Sequence, residues 1–427
     1  MKEWNSFDKI IKGKGMWLIN SKGNKMLDGV ASMWCNVWGH SNPELIRAIT
    51  NQSKKLQHSS MFNLTNEPAE RLAENLVNIS PGMHKVFFSD NGSTAMEIAI
   101  KLALQYWKNI GEKKKIKIAT IENGYHGDTF GAMSVGYVPE FFGKFKEQLF
   151  STIQFPVPNK YRIPRGFTFS DYQNYCIEKI EKKFSKNNNI AAFIMESGAQ
   201  VAGGVIIYPK GFQRKISQLC KKYDVLFVLD EIATGLGRLG SMIQYEEQKS
   251  TPDIVAYGKM LTGGYLTMAV TMTNKKIYDS YLGEFNDCKH LFHGHTYTGN
   301  PIAAAVANEN LKMYKTKSLI KKIQKTSKVF EKFYQEISEI DIVGDIRHKG
   351  MLMGIELVTN RKKKTPIHPK KSINKIFFEE GKKQGIYLRT LGNIVMLVPP
   401  LAISEKELNL LLNGVIRTIK AARSKVI

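Results

Sequence analysis

Five consecutive apolar residues ending in two acids, Val225-Leu-Phe-Val-Leu-Asp230-Glu231, constrain this chain more than any other feature. A run of that length with no polar break reads as a strand buried on both faces, inside a parallel sheet. Ligands of open α/β sheets bind at the carboxyl ends of such strands, which puts Asp230 at the mouth of a crevice. Lys259 follows in the glycine-flanked loop Tyr257-Gly-Lys-Met-Leu-Thr-Gly-Gly264. A carboxylate can hold a protonated ring nitrogen, and a lysine amine can condense with an aldehyde.

Three further constellations surround that pair. Phe88-Ser-Asp-Asn-Gly92-Ser93-Thr94 lies between a strand and a helix. Gly92 allows close backbone approach, and the helix start presents free N–H groups to an anion. The same residues also read as an ordinary N-cap. Glu122-Asn-Gly-Tyr125-His126-Gly127-Asp128 follows a strand. Tyr125 could stack on a planar ring there, although the two glycines equally suit a surface turn. Phe292-His-Gly294-His295-Thr296-Tyr-Thr-Gly-Asn300-Pro301 carries two histidines without a helical ligand spacing, so no metal is expected. An acid, an amine, a stacking ring and a phosphate-binding turn are the equipment of a pyridoxal phosphate site.

Composition narrows the class. The chain has 427 residues, 43% of them hydrophobic and 23% charged, as in a globular protein with one large and at least one smaller domain. The net charge of +24 comes in short dispersed runs such as Lys113-Lys-Lys115 and Arg361-Lys-Lys-Lys364. No zinc finger or aromatic-interleaved stripe accompanies them, so a solvated basic surface is expected rather than nucleic-acid binding. Apolar runs are strand-sized, far below the ~20 residues that span a bilayer, and no membrane association is expected. The first residues are too polar for a signal peptide, and four scattered cysteines fit a reducing, cytoplasmic setting.

Periodicity places the motifs. Met16-Trp-Leu-Ile19 and Lys25-Met-Leu27 read as a hairpin, and Asn42-Pro43 as the start of a helix to about Leu56. From Lys85 a strand–helix–strand rhythm sets in: Val86–Phe88, a helix from Thr94 to Trp107, Ile116–Ala119, Ala191–Met195 and Val225–Leu229. After about residue 315 a long polar helix, the strand Met351–Leu357, a second helix, the strand Ile394–Val398 and a last helix after Ser404 suggest a separate α+β unit. The stretch from Asn159 to Asn189 carries no usable pattern. The expected division is 1–60 as an N-terminal segment packing on the small domain, 61–314 as the large domain and 315–427 as the small one.

Together the motifs carry a resemblance. Ser89-Asp-Asn-Gly-Ser, Asn123-Gly-Tyr-His-Gly-Asp, Asp230-Glu-Ile-Ala-Thr-Gly-Leu-Gly-Arg-Leu-Gly240, Gly258-Lys259 and His293-Gly-His-Thr-Tyr-Thr-Gly-Asn-Pro301 resemble the class III aminotransferases of pyridoxal phosphate fold type I. Leu104-Gln-Tyr-Trp107 and the block Asn123–Ser134 are most similar to the 7,8-diaminononanoate synthase branch, which aminates 8-amino-7-oxononanoate for biotin. The resemblance implies an α/β fold whose large domain holds a mostly parallel seven-stranded sheet, with a smaller α+β domain built from the C-terminal part and the N-terminal segment. It implies a homodimer with shared active sites. Lys259 would bond the cofactor and shuttle a proton, Asp230 would pair with the ring nitrogen, and Tyr125 and Ile232 would cover the ring faces. Gly92 and Ser93 would cradle the phosphate, with Thr296 completing that site from the neighbouring subunit. His126 and His295 would also border the cofactor. Trp34, Met33, Tyr125 and Gly294 would line the substrate pocket, and Arg389 would take a substrate carboxylate.

Three departures qualify the likeness. Glu196-Ser-Gly-Ala-Gln200-Val-Ala-Gly-Gly204 lacks the second acid of ornithine and γ-aminobutyrate aminotransferases, which argues against those activities. Met33 precedes Trp34 where members using S-adenosylmethionine carry two tryptophans, and with the Gly294–Thr296 loop this leans toward lysine as amino donor. An aromatic segment expected upstream of Asp28 is missing, so the recorded start is expected to be an internal methionine. Two rivals stay open: a general ω-amino acid or diamine transaminase using pyruvate or 2-oxoglutarate, and a non-enzymatic basic binding protein.

Overall fold

The computed structural model describes residues 7–427. The apolar run forms the strand Leu226–Asp230, buried throughout, in the middle of a seven-stranded sheet. Across that sheet the order is Lys85–Ser89, Ala269–Thr273, Ile254–Tyr257, Leu226–Asp230, Ile190–Glu196, Lys117–Ile121 and Ile153–Phe155. Ala269–Thr273 runs antiparallel to both neighbours, and every other pairing is parallel. This is the mostly parallel sheet the resemblance implies.

The sheet separates two cores, and that separation sorts the acids. Side chains alternate across a strand. Leu226 and Val228 therefore face the helix Gly92–Asn109, joining Ile98, Ala99 and Ala103 in one cluster. Phe227 and Leu229 face the other way, into the cluster that holds Ile216 of the helix Phe212–Lys222 and Ile180 of the helix Phe169–Lys186. The same alternation puts Asp230 on the side of Val228 and turns Glu231 to the opposite side. Glu231 there accepts the backbone N–H groups of Gln244 and Tyr245 at 2.9 and 2.6 Å, and burial pushes its carboxyl up to about 7.

Residues 10–28 pair with a strand from the C-terminal region. Ile10–Lys14, Trp17–Asn20 and Lys25–Asp28 form an antiparallel ribbon, and Ile386–Tyr387 adds to Lys25–Asp28 in parallel. The expected hairpin is therefore present and is tied to the C-terminal region. Asn42 caps the helix Pro43–Lys55, its side chain accepting from the N–H groups of Glu44 and Leu45. A second antiparallel sheet holds Val343–Lys349, Leu352–Asn360, Ile394–Leu397 and Arg389–Leu391; the helix Ile373–Lys383 packs on Arg389–Leu391, and the helix Glu405–Val426 packs on that helix.

Three local expectations need correction. The long polar helix after residue 315 is broken into Leu319–Thr326, a 3-10 stretch Ser327–Phe333 and Tyr334–Glu339. Ser318 stands at φ 51°, which separates these turns from the helix Pro301–Thr316. The strand Val343–Lys349 went unread because it is only half-buried and charged at three of seven positions. The patternless stretch hides the helix Phe169–Lys186, which a Thr168–Asp171 capping box starts. No described helix is long and apolar enough to cross a membrane.

One ionic cluster joins the C-terminal sheet to the loop after Ile153–Phe155. Glu356, 4% exposed, accepts from Arg162 Nε at 2.9 Å and is also paired with Arg347. Removing the carboxylate leaves two guanidinium groups facing each other, Arg347 largely buried and Arg162 partly in water. Glu356→Ala is expected to cost about 3 kcal/mol, the low end for a broken buried pair because Arg162 keeps 41% of its side chain in water and can rehydrate. Denaturant unfolding checks this, and a change within experimental error of zero would contradict it.

Candidate active site

The carboxyl end of the sheet opens onto a cavity of about 220 Å³ whose walls include Trp34, Gly92, Tyr125, Asp230, Ile232 and Lys259. Sequence positions far apart are thus gathered around one space. Asp230 is fixed twice over. Its Oδ1 accepts the Ile232 N–H at 2.8 Å, and its Oδ2 lies 2.8 Å from His126 Nδ1. His126 is 2% exposed and its Nε2 has no partner, so its one bond serves to orient the carboxylate. Ile232 fits between two glycines: a Cβ on Gly92 would stand 3.0 Å from its Cγ2, and one on Gly258 would stand 3.2 Å away.

Lys259 enters from the end of Ile254–Tyr257 with φ 41°, a conformation costing roughly 1–2 kcal/mol for a residue with a Cβ. Its ammonium lies 5.4 Å from the centroid of the Trp34 ring. Burial pulls the amine below its ordinary pKa, while Asp230 and Glu196 pull the other way. A lowered value favours the neutral, nucleophilic amine.

Trp34 belongs to a tight hook. Ala31, Ser32 and Trp34 all have positive φ, at 47°, 59° and 68°. The buried Asp28 carboxylate holds the hook together by accepting from the N–H groups of Val30 and Ser32, from Ser32 Oγ at 2.9 Å, and from His40 Nε2 at 3.1 Å. The hook turns Met33 outward, where its Sδ accepts from Arg389 Nη1 at 2.9 Å. Arg389 itself lines a neighbouring cavity of about 570 Å³ with Ser32, Asn374 and Tyr387.

At the helix start, Asn91 rather than Ser93 or Thr94 is the N-cap. Its side chain accepts the Thr94 N–H at 3.1 Å, and Thr94 Oγ1 bonds back to Asn91. Thr94 is thereby occupied, and Gly92 and Ser93 face the cavity. Ser93 Oγ accepts the N–H of Asp128 at 3.1 Å, which ties this turn to the Tyr125 loop. The Tyr125 hydroxyl donates to Asp128 Oδ1 at 3.0 Å, and burial beside Asp128 holds it above its ordinary pKa, so it stays a phenol.

The segment after Phe292 does not reach this cavity within the chain. Gly294 lies under Phe62 beside a separate pocket of about 330 Å³. His295 faces Asp90 at 3.7 Å and His293 at 3.3 Å, and the Thr296 carbonyl bonds His58 Nε2 at 2.7 Å. One cavity residue was not anticipated as a site group. Glu196, 4% exposed, ends the strand Ile190–Glu196 as Asp230 ends its own, and the two are register partners. The logic that found Asp230, an acid closing an apolar run, applies to it equally.

The donor set fits the cofactor. An anchored carboxylate suits a pyridinium N–H, a half-buried amine suits an aldehyde, and the first turn of an eighteen-residue helix suits a phosphate. Comparison with known proteins agrees. The Aminotransferase class-III family matches residues 2–419. The adenosylmethionine-8-amino-7-oxononanoate aminotransferase of Staphylococcus aureus is 43% identical over 403 residues, covering 93% of this chain and 88% of that protein. The crystal structure of the Methanocaldococcus jannaschii enzyme of the same name is 39% identical, with a TM-score of 0.91 over 97% of this chain and 93% of that one. An ω-transaminase from Pseudomonas jessenii, solved in complex with PMP, is 29% identical, with a TM-score of 0.94 over 98% of this chain and 94% of that one. The chain belongs to the class III aminotransferases, enzymes of fold type I that use pyridoxal phosphate.

Proposed function

We propose that the protein transfers an amino group to the ketone of 8-amino-7-oxononanoate, forming 7,8-diaminononanoate for biotin synthesis, in two half-reactions. The observation that carries this reading is the single cavity shared by Lys259, Asp230 and the helix start at Gly92, in a chain about 40% identical along its length to relatives named for that reaction. When bound, pyridoxal phosphate supplies an aldehyde for amine exchange and a ring that takes up the electron pair left at the substrate carbon.

The chain's own residues do the rest. Lys259 would hold the cofactor aldehyde through its amine, with loss of water, and when free of it would carry the proton moved at the substrate carbon. Asp230, steadied by His126, accepts the ring N–H. Ile232 and Tyr125, which line the same cavity, would cover the two faces of the ring. Gly92 and Ser93 receive the phosphate, where the helix N-terminus contributes about 0.3–1 kcal/mol or more when partly buried. Trp34 and Met33 border the substrate, and Arg389 takes its carboxylate by a two-pronged contact.

A homodimer supports the remaining roles. Phe62, Phe285, Phe292 and Tyr297 are 65, 84, 89 and 63% exposed around the 285–298 region, more aromatic surface than a monomer commonly leaves in water. Burying that face on a second copy delivers Gly294, His295 and Thr296 toward the neighbour's cofactor. Four free cysteines, two of them buried, fit a cytoplasmic enzyme. For the amino donor, Met33 supplies a thioether in contact with Arg389 where a second tryptophan would stack on adenosine; this favours lysine, against the adenosylmethionine of the relatives' names. The likeness to an ω-transaminase sustains the rival reading, a general ω-amino acid transaminase with pyruvate as acceptor.

Purified enzyme is expected to convert 8-amino-7-oxononanoate to the diamine with lysine and more slowly with S-adenosylmethionine, as read by product mass. Turnover of pyruvate without any of the oxononanoate would contradict the biotin assignment and establish the rival. A second expectation concerns the phosphate cradle. Gly127 has φ 131°, and a Cβ there would fall 2.1 Å from Ser93 Oγ. Gly127→Ala should displace Ser93 and weaken pyridoxal phosphate binding by about tenfold or more, some 1.4 kcal/mol. Titration of the apoprotein with the cofactor measures this, and an unchanged affinity would remove Ser93 from the cradle.

A further inference from the structure

Glu196 is the buried acid that the roles above leave unused. It ends the strand next to Leu226–Asp230, in register with Asp230, so the two carboxylates leave adjacent parallel strands on the same face. Its Oε1 accepts the Tyr125 N–H at 3.3 Å, and its Oε2 accepts the Val201 N–H at 2.9 Å. One carboxylate thus ties two loops to the cavity wall: the Tyr125 loop, and the turn whose Ala202 lines the same space. A neutral amide cannot accept from both N–H groups in this way, because one of its two ends is a donor.

We propose that Glu196 is a positioning residue for the transamination reaction: it pins Tyr125 against the cofactor and supplies, beside Asp230, a second negative charge that favours a proton on the Lys259 nitrogen. This rests on the assignment of Lys259 as the cofactor-bonding amine. The titratable groups around Glu196 are Asp230 on the adjacent strand, His126, Tyr125, the buried Tyr208, and Lys259 itself. Burial and Asp230 push the Glu196 carboxyl up to about 7, and His126 opposes that shift. An acid so poised gives up its proton where a protonated Lys259 nitrogen stands beside it. The sign follows: a carboxylate beside a protonated nitrogen raises that nitrogen's pKa, and removing it lowers the pKa. A purely structural acceptor of two N–H bonds would leave the titration of Lys259 where it is.

The test is a pH titration of the visible absorption of the bound cofactor in the holoenzyme, wild type against Glu196→Gln. The midpoint is expected to fall by about one unit or more in the variant. Curves that superimpose would overturn the proposal. Glu196→Asp keeps the charge but spans less far. Its midpoint should stay within about 0.3 unit of the wild type while its cofactor affinity drops, and a fall as large as that expected of the amide would overturn the electrostatic role. This second variant serves equally where the amide variant fails to fold. A wild type with no cofactor absorption at all would refute the Lys259 assignment, whereas a titrating wild type with an unmoved variant refutes only the role of Glu196.

Discussion

The anchored carboxylate of Asp230 is the contact on which the rest of the site depends. Two independent bonds, from the Ile232 N–H and to His126, fix it at the end of a strand buried on both sides. A carboxylate held in that way needs no reorganisation when a protonated ring arrives, which is how fixed charge assists chemistry in a dry site. Lys259 is positioned against it by a different route. A strained backbone turn after Ile254–Tyr257 directs the half-buried amine toward the Trp34 ring, into the space that Asp230 also lines. Charge comes from one strand end and nucleophile from the next, so the sheet itself sets the spacing between them.

The supports of the cavity are mostly steric. Ile232 occupies a slot that exists because Gly92 and Gly258 lack side chains, and the Tyr125 loop closes over Ser93 because Gly127 does as well. The strain in the Asp28–Trp34 hook is offset by four hydrogen bonds to a single buried carboxylate. Local strain held by a well-bonded neighbourhood is characteristic of sites that must present side chains to a ligand.

Much of this was legible in the residues, for definable reasons. The run from Val225 to Leu229 reads as a buried strand and the resemblance picks out Asp230, while the folded sheet shows why Asp230 and not Glu231 faces the cavity. The Asn42 cap and the two hairpin strands obey local rules that need no tertiary information. Glu196 closes its apolar run as Asp230 does, but in sequence the stretch Glu196–Gly204 stands out for the second acid it lacks. The helix Phe169–Lys186 was obscured by lysines and asparagines on its outer face, and Val343–Lys349 by charges on a strand that stays half in water. After left-handed Ser318 the chain restarts a helix, which the 3-10 stretch Ser327–Phe333 then interrupts, a break that composition does not announce. Contacts such as Arg389 with Met33 join positions hundreds of residues apart and emerge only from the folded chain.

The central claim is that the Lys259 amine bonds the cofactor opposite Asp230. Borohydride reduction of the holoenzyme, followed by peptide mass analysis, addresses it most directly. The account predicts a phosphopyridoxyl mass on the peptide carrying Lys259 and no such label in the Lys259→Ala protein. A label on a different lysine, or its persistence when Lys259 is replaced, would contradict it.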